Sequence, residues 1–477
     1  MKILLASLSS EIAMRLPHSP NSAYSLGLAY LHAVLERDGH EVRTLFLDNF
    51  SHRIAAERTM RMIGVWEPDI VGFQIFSMNR VSTYKVLNTM KTKYPDMRVV
   101  LGGVHTSIMY QQLLDQYPHA IVVIGEGELT FGELVKAFES GTSYDHILGL
   151  AFWRDGKVVC TKERPLIDDL DALPFPKHEV LFDEEPKRVV AHMIASRGCP
   201  FKCSFCCLAA ISQRKWRARD ISKVVEELKM LKKQYPRLRY VQFHDDTFTL
   251  DEERVIRFCK MLMKEKLSLK LICSARVKPA SKRMFYWMKK AGFVKIMFGL
   301  ETGSEVLLKS IHKNIKKKDV IGLFEKLRGF DFDVTTFLMC GFPGESDATI
   351  SETIGLVRET QKIHYNYIAG IGKLSVYPST EVYEIMKAAG CIDDDFWLTE
   401  KPVPFFTVEH SLPKLVEIEE RMMNELSVNR ILTLKGFRRQ FPYMWREITT
   451  YLLTHPNHLI HISGRKFKMM ILWLMRH

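Results

Sequence analysis

The stretch Ser196-Arg197-Gly198-Cys199-Pro200-Phe201-Lys202-Cys203-Ser204-Phe205-Cys206 decides most of the reading of this chain. Its Cys-x3-Cys-x2-Cys spacing lets one short loop aim three thiolates at a single point, as a cubane iron–sulfur cluster requires. Three ligands for four irons leave one iron open to bind and reduce a substrate. Zinc is the rival occupant, but zinc motifs usually close with a fourth Cys or His at recognisable spacing. Cys207 abuts Cys206, so its side chain is expected to point away from a centre that Cys206 binds. The candidate metal ligands are therefore Cys199, Cys203 and Cys206.

The rest of the composition is that of a globular protein. At 477 residues the chain has length for two to four domains with real cores. With 47% hydrophobic and 26% charged residues, neither disorder nor a fibrous fold is indicated. Nine cysteines, an odd number with one tight group, argue against a secreted disulfide framework. A cytoplasmic, reducing setting is expected. Met1–Leu8 has a short apolar run without a cleavage site and reads as a first strand. No internal run approaches the ~20 apolar residues of a membrane span.

The net charge of +13 is unevenly placed. From Asn429 to His477 there are nine Lys/Arg against one acid, Glu447, interleaved with apolar residues as in Lys466-Phe467-Lys468-Met469-Met470-Ile471-Leu472-Trp473. Such a tail can rest on an anionic membrane face, giving peripheral contact at the inner membrane surface. It can equally be a basic helix packing its apolar side on the protein body. No base-reading module accompanies the charge, so no nucleic-acid partner is expected.

Strand and helix signals alternate over residues 1–140. Strand-like runs at Lys2–Leu8, Glu41–Asp48, Asp69–Phe76, Met97–Val104 and Ala120–Gly125 lack alternation, as buried parallel strands do. Helical patterns lie between them, and the whole reads as a doubly wound, Rossmann-like parallel sheet. Such sheets bind ligands beyond the carboxyl ends of their strands. Ser77 and Asn79 fall there, as do Gly102, Gly103 and His105, then Gly125, Glu126 and Glu128. Residues 141–187 read as a connector with a hairpin at Ala151–Cys160. From residue 188 to 380 a second series has strands at Arg188–Ser196, Tyr240–Asp245, Leu269–Ala275, Val294–Leu300, Asp333–Cys340 and Tyr367–Tyr377. Six such units fit a partial (β/α)6, TIM-like barrel with its chemistry at the strand ends. Residues 381–477 read as mostly helical.

The cysteine loop follows the first strand of this second series, at the mouth of the expected barrel. Later strands also end on polar groups. His244-Asp245-Asp246-Thr247-Phe248 closes the second, Arg276 the third, Glu301 the fourth, and Gly341-Phe342-Pro343-Gly344-Glu345 the fifth. Taken singly, Asp245 and Asp246 can simply cap a helix, and Gly344 can simply make a turn.

With its three-cysteine loop and Phe205 ahead of the third cysteine, the chain resembles the radical S-adenosylmethionine (SAM) superfamily. The doubly wound sheet ahead of the barrel narrows this to a resemblance to cobalamin (B12)-binding radical SAM enzymes over roughly residues 1–380, including the Gly102-Gly103-x-His105 and Gly125-Glu126-Gly127-Glu128 segments. The resemblance implies three cofactors: a [4Fe-4S] cluster, SAM and cobalamin. It implies SAM contacts from Asp245, Asp246, Arg276, Glu301, Gly341 and Gly344. It implies cobalamin contacts from Ser77, Asn79, Gly102, Gly103, His105, Gly125, Glu126 and Glu128. The Asp-x-His-x-x-Gly motif that supplies a cobalt-binding histidine elsewhere is absent, so base-off cobalamin is expected, with His105 a candidate neighbour of its lower face. The implied chemistry is reductive cleavage of SAM to a 5′-deoxyadenosyl radical that opens an unactivated carbon, with methyl transfer first in line. An oxidative cyclase or ring-rearranging enzyme is the alternative, and a zinc-stapled nucleic-acid-binding protein stands below both. The implied partners are an acidic flavodoxin- or ferredoxin-type electron donor and a small substrate, for which the apolar tail points to a lipid or other hydrophobic molecule.

Overall fold

The computed structural model describes residues 1–10, 24–48, 50–184, 188–364 and 366–427. The basic segment read from Asn429 onward lies outside these described residues.

The first strands are Lys2–Ser7 (β1), Glu41–Phe46 (β2), Ile70–Gln74 (β3), Arg98–Gly102 (β4) and Ala120–Val123 (β5). Five of the six β1 residues are buried, because helices cover both faces of the sheet. The helices fall where the sequence pattern puts them. Leu26–Arg37, for example, begins where the Ser25 hydroxyl accepts from the Leu28 amide at 3.2 Å. The parallel strands run β2-β1-β3-β4-β5. That order places the topological switch between β1 and β3.

One element differs from its expected place. The hairpin Leu150–Arg154 (β6) and Lys157–Cys160 (β7) is part of the sheet rather than of a connector, and β6 pairs antiparallel with β5. The free edge of β5 and the buried Leu150, Ala151 and Phe152 explain the capture, since an unpaired edge next to an apolar strand is costly to leave in water.

The second sheet comprises Val190–Met193 (β8), then, after a short antiparallel ribbon of Ser196–Arg197 (β9) with Arg217–Ala218 (β10), Tyr240–Phe243 (β11), Lys270–Ala275 (β12), Phe293–Glu301 (β13), Asp333–Cys340 (β14) and Tyr367–Lys373 (β15). Its six strands run in the order β15-β14-β13-β12-β11-β8, all parallel, the arrangement of an open partial barrel. Alternation divides its two faces. On β14, Val334, Leu338 and Cys340 enter the core beneath the outer helices, while Phe337 on the opposite, concave side remains 46% exposed. A second core joins the two halves of the molecule: Leu4, Val71 and Leu101 of the first sheet share it with Val376, Trp397 and Phe406 from the far end of the chain. Buried Arg80 tightens that joint by donating to the Trp397 carbonyl at 3.2 Å, to the Ser77 carbonyl at 2.8 Å and to the Lys401 carbonyl.

Candidate cofactor site

The ribbon of β9 and β10 closes the base of the cysteine loop. Gly198 begins the excursion at φ +85, where a Cβ would stand 2.0 Å from the Lys215 carbonyl oxygen, so only glycine fits. The turn ending in Cys206 is tied by its amide to the Cys203 carbonyl at 3.1 Å, and the Ser204 amide donates to the Ile311 carbonyl at 3.2 Å.

The strand-end residues collect around this loop. Asp245 is buried, its Oδ1 accepting from the Ala195 amide at 2.8 Å and its Oδ2 from the Ser196 hydroxyl at 2.5 Å. Burial pushes its carboxyl up to about 6, against the pull of those two donors. Asp246 Oδ2 accepts from the Gly198 amide at 3.0 Å, and Thr247 Oγ1 lies 3.8 Å from Cys199 Sγ. Both acids, expected at SAM, thus hold the base of the cysteine loop. Arg276 donates to Cys203 Sγ at 3.6 Å and to the Lys313 carbonyl at 2.8 Å. Glu301 Oε1 accepts from the Lys313 ammonium at 2.6 Å in a buried ion pair. Gly341, expected at SAM, is buried under a later segment, whereas Gly344, also expected there, is exposed. A Cβ on Gly341 would meet Leu415 Cδ2 at 2.9 Å, and the Gly344 amide donates to Glu409 at 2.7 Å. The site therefore brings Asp245, Asp246 and Arg276 to the loop of Cys199, Cys203 and Cys206, links Glu301 to it through Lys313, buries Gly341 under a later segment and leaves Gly344 exposed.

Against this site opens a cavity of about 770 Å³. Leu5, Gly72, Phe73 and Gln74 place it at the β1/β3 switch, and Val100, Val123 and Phe131 carry it deep between the sheet and its helices. Missing side chains keep the slot open: a Cβ at Gly72 would stand 3.0 Å from Leu5 Cδ2, and one at Gly27 would stand 2.9 Å from Gln74 Nε2. At φ +107, Gly103 turns the chain where a Cβ would stand 2.7 Å from the Ile75 carbonyl oxygen. Asn79, Gly102, Gly103, Gly125, Glu126 and Glu128 all line the cavity, and Ile194, Arg197, Ile211 and His244 from the barrel side complete its wall. A deep apolar slot with a polar rim at the switch point suits a large planar ligand with a long appended arm, and base-off cobalamin is such a ligand.

Two expected cobalamin neighbours stand elsewhere. His105 is buried 3.0 Å by Nδ1 from Ser77 Oγ and 3.2 Å by Nε2 from the Tyr84 hydroxyl, its ring edge-on to Trp397. Both nitrogens are spent inside the protein, and neither Ser77 nor His105 lines the cavity. Desolvation, with Arg80 nearby, pushes the His105 imidazolium down to about 3, so the ring is neutral.

Several participants have no motif to announce them. Arg197 donates to Glu126 at 3.0 Å and to Glu128 at 2.7 Å, and Arg217 donates to both oxygens of Glu126 at 2.8 and 3.0 Å. Cavity-lining Tyr24 lies 2.5 Å from His178 Nδ1, and His178 Nε2 lies 2.9 Å from Glu227, to which Arg219 donates at 2.6 Å. Lys313 belongs with them. Arg219 and Lys313 stand 8 and 12 residues from their partners and the rest at least 49, and no motif marks any of them, so only the fold reveals the pairing.

A loop with three thiols beside a deep slot at the adjoining switch point is the arrangement of a cobalamin-binding radical SAM enzyme, and the chain belongs to that family. The B12 binding domain family matches residues 16–135 and the radical SAM superfamily matches residues 193–357. An uncharacterized methyltransferase, PH0819 of Pyrococcus horikoshii, is 31% identical over 391 residues, covering 80% of this chain and 83% of the relative. The anaerobic magnesium-protoporphyrin IX monomethyl ester cyclase of Rubrivivax gelatinosus is 29% identical over 70% of this chain, which spans 61% of that protein. Among solved structures, the cobalamin-dependent SAM radical enzyme OxsB aligns with TM-score 0.73 at 16% identity, covering 99% of this chain and 75% of that one. The radical SAM methyltransferase TsrM from Kitasatospora setae aligns with TM-score 0.67 at 17% identity over 82% and 76%. These two structures share the fold. The cofactors of the family are a [4Fe-4S] cluster, SAM and cobalamin, and membership decides against the zinc-stapled alternative. The enzyme needs a reductant and acts on a small substrate. Among the described residues no helix is long and apolar enough to cross a membrane.

Proposed function

We propose that this protein is a cobalamin-dependent C-methyltransferase in which residues 1–140 hold cobalamin, residues 188–380 hold the cluster and SAM, and the two cofactor sites face each other. The observation that carries this reading is the cavity wall, shared between Gly102, Gly103 and Glu126 of the first sheet and Arg197 and His244 of the barrel side. When bound, the cluster with SAM supplies one-electron cleavage to a hydrogen-abstracting radical, and cobalamin supplies a methyl group. The chain's own work is positional. Cys199, Cys203 and Cys206 hold the cluster, Asp245 and Asp246 fix the base of its loop, and Glu301 with Lys313 flanks the SAM pocket. The glycine-opened slot takes the cobalamin arm, with no histidine offered to the cobalt.

The concave barrel wall bears Ile272, Met297, Phe337 and Met339 at half-buried or exposed positions. Such a wall favours a substrate with a sizeable apolar surface, a lipid among them. An acidic flavodoxin- or ferredoxin-type donor, a cytoplasmic setting and peripheral membrane contact through residues 429–477 complete the proposal.

The test is anaerobic reconstitution with iron, sulfide and hydroxocobalamin, desalting, and counts of iron, sulfide and cobalt. Four irons and one cobalt per chain with a base-off spectrum are expected. S-adenosylhomocysteine released alongside 5′-deoxyadenosine on addition of reductant and apolar substrates supports methyl transfer. Release of 5′-deoxyadenosine alone overturns methylation in favour of the cyclase chemistry of the Rubrivivax relative.

A further inference from the structure

We propose that Arg276 sets the reduction potential of the cluster, acting on it through Cys203, an inference that rests on reading Cys199, Cys203 and Cys206 as the cluster ligands. Arg276 directly follows β12 and is 7% exposed. Its guanidinium is held from three sides. Nη1 donates to Cys203 Sγ at 3.6 Å, Nη2 donates to the Lys313 carbonyl at 2.8 Å, and the planar group lies 3.7 Å from the centre of the Phe201 ring. Phe201 sits inside the cysteine loop, so the loop itself grips the cation that contacts its second thiol. Arg stacks and hydrogen-bonds in this way because its fork is planar and its charge is permanent.

The charge balance points the same way. Among the described residues no carboxylate is paired with Arg276. Lys313, whose carbonyl accepts from Arg276, has its own ammonium neutralised by Glu301 at 2.6 Å. The Arg276 charge at Cys203 therefore has no directly paired carboxylate among the described residues, and the acids of the loop base, Asp245 and Asp246, are engaged at Ser196 and Gly198 instead. Three thiolates already make the oxidised cluster negative, and an added electron makes it more so. A fixed cation in a low-dielectric site attracts the reduced form more strongly than the oxidised form. A donor aimed at a ligating sulfur acts in the same direction, and both are established levers on cluster potential. The electron comes from the one-electron reductant and resides on iron, with no proton moved and no bond broken. Arg276 is thus a positioning and tuning residue that eases the entry of the electron.

The experiment is a potentiometric titration of the reconstituted full chain without SAM, followed by the electron paramagnetic resonance signal of the reduced cluster. For Arg276→Met the ratio of reduced to oxidised cluster at fixed ambient potential is expected to fall about tenfold, a midpoint about 59 mV more negative for a one-electron couple. Arg276→Lys, which keeps charge without the fork, is expected to fall less. A midpoint for Arg276→Met equal to or above that of the wild type, at full iron content, overturns the proposal. So does loss of SAM affinity with an unmoved midpoint, which would assign Arg276 to the substrate instead. If Arg276→Met does not hold iron, Arg276→Gln is titrated with the same expectation, and failure of both to hold a full cluster makes Arg276 a mere clamp of the loop and also overturns it. A wild-type chain that takes up no iron and sulfide would instead sink the cofactor reading on which the inference rests.

Discussion

Arg197, two residues ahead of Cys199, donates to Glu126 at 3.0 Å, so the root of the cluster loop is pinned to the chain just beyond β5. Glu126 also accepts from Arg217 and from the Ile167 amide at 2.8 Å, and a single carboxylate thereby ties the cavity rim to β9, β10 and the connector. Glu126→Gln leaves two guanidinium groups facing a neutral amide. Breaking a largely buried pair from one side costs about 3 kcal/mol. Part of that loss is expected in the cavity, as hydroxocobalamin binding weakened about tenfold, or about 1.4 kcal/mol. A spectral titration measures it, and unchanged affinity would show that the bridge does not shape the cavity.

Two carboxylates near the loop respond to pH in opposite senses. Burial alone would raise the Glu126 carboxyl, but Arg217 and Arg197 outweigh it and hold it below the ordinary value, so its stabilisation is lost only as pH falls through the acid range. Asp245 is raised, from 3.8 to about 6, chiefly by burial. Its contribution is complete below its unfolded value and disappears as pH climbs through about 6. Asp245→Asn removes that dependence. Thermal melts between pH 4 and 7 are expected to show the variant gaining on the wild type by about 2 kcal/mol as pH rises. Parallel curves across that range would mean that Asp245 is charged throughout.

The architecture was legible because both sheets are built from buried parallel strands joined by helices, a pattern that hydrophobic runs and glycine-rich strand ends display directly. The cysteine loop was legible because its three ligands are neighbours in sequence. Side-chain roles were less so. Asp245 and Asp246 fall at a strand end, where ligands usually bind, yet their oxygens accept from the Ala195 amide, the Ser196 hydroxyl and the Gly198 amide, 48 to 50 residues earlier. The cover over Gly341 comes from Leu415, whose approach no local pattern encodes. The hairpin of β6 and β7 carries a clear turn at Asp155-Gly156, but that turn says nothing about which sheet will receive it.

His105 offers a test of the histidine-free cobalamin site. With Nδ1 at Ser77 and Nε2 at Tyr84, no ring nitrogen remains for cobalt. His105→Ala is expected to lower the melting temperature, because it opens a cavity and strands two hydroxyls at a cost of about 2–4 kcal/mol. The base-off spectrum of bound cobalamin is expected to stay as it is. Nitrogen hyperfine structure on the cobalt(II) signal of the wild type, lost in His105→Ala, would show the imidazole swinging round to the metal.

Glu301 and Lys313 form a pair whose two side chains are only 9% and 6% exposed, and Glu301 adopts a left-handed φ of +70 to make it. A residue other than glycine in that conformation is strained, and such strain persists where the surroundings enforce it. Lys313→Met leaves a carboxylate buried without its cation and is expected to cost about 3–5 kcal/mol. Glu301→Leu combined with Lys313→Met removes both charges, and the double variant is expected to recover most of that loss, giving a coupling of about 3 kcal/mol between the two sites. Stability alone does not show why a strained ion pair is retained here. SAM affinity does. Glu301→Gln keeps the shape of the side chain, and equilibrium binding is expected to show SAM held about tenfold more weakly, since an amide accepts poorly from an ammonium group. If the affinity is unchanged while the melting temperature drops, the pair serves the loop alone and Glu301 makes no contact with SAM.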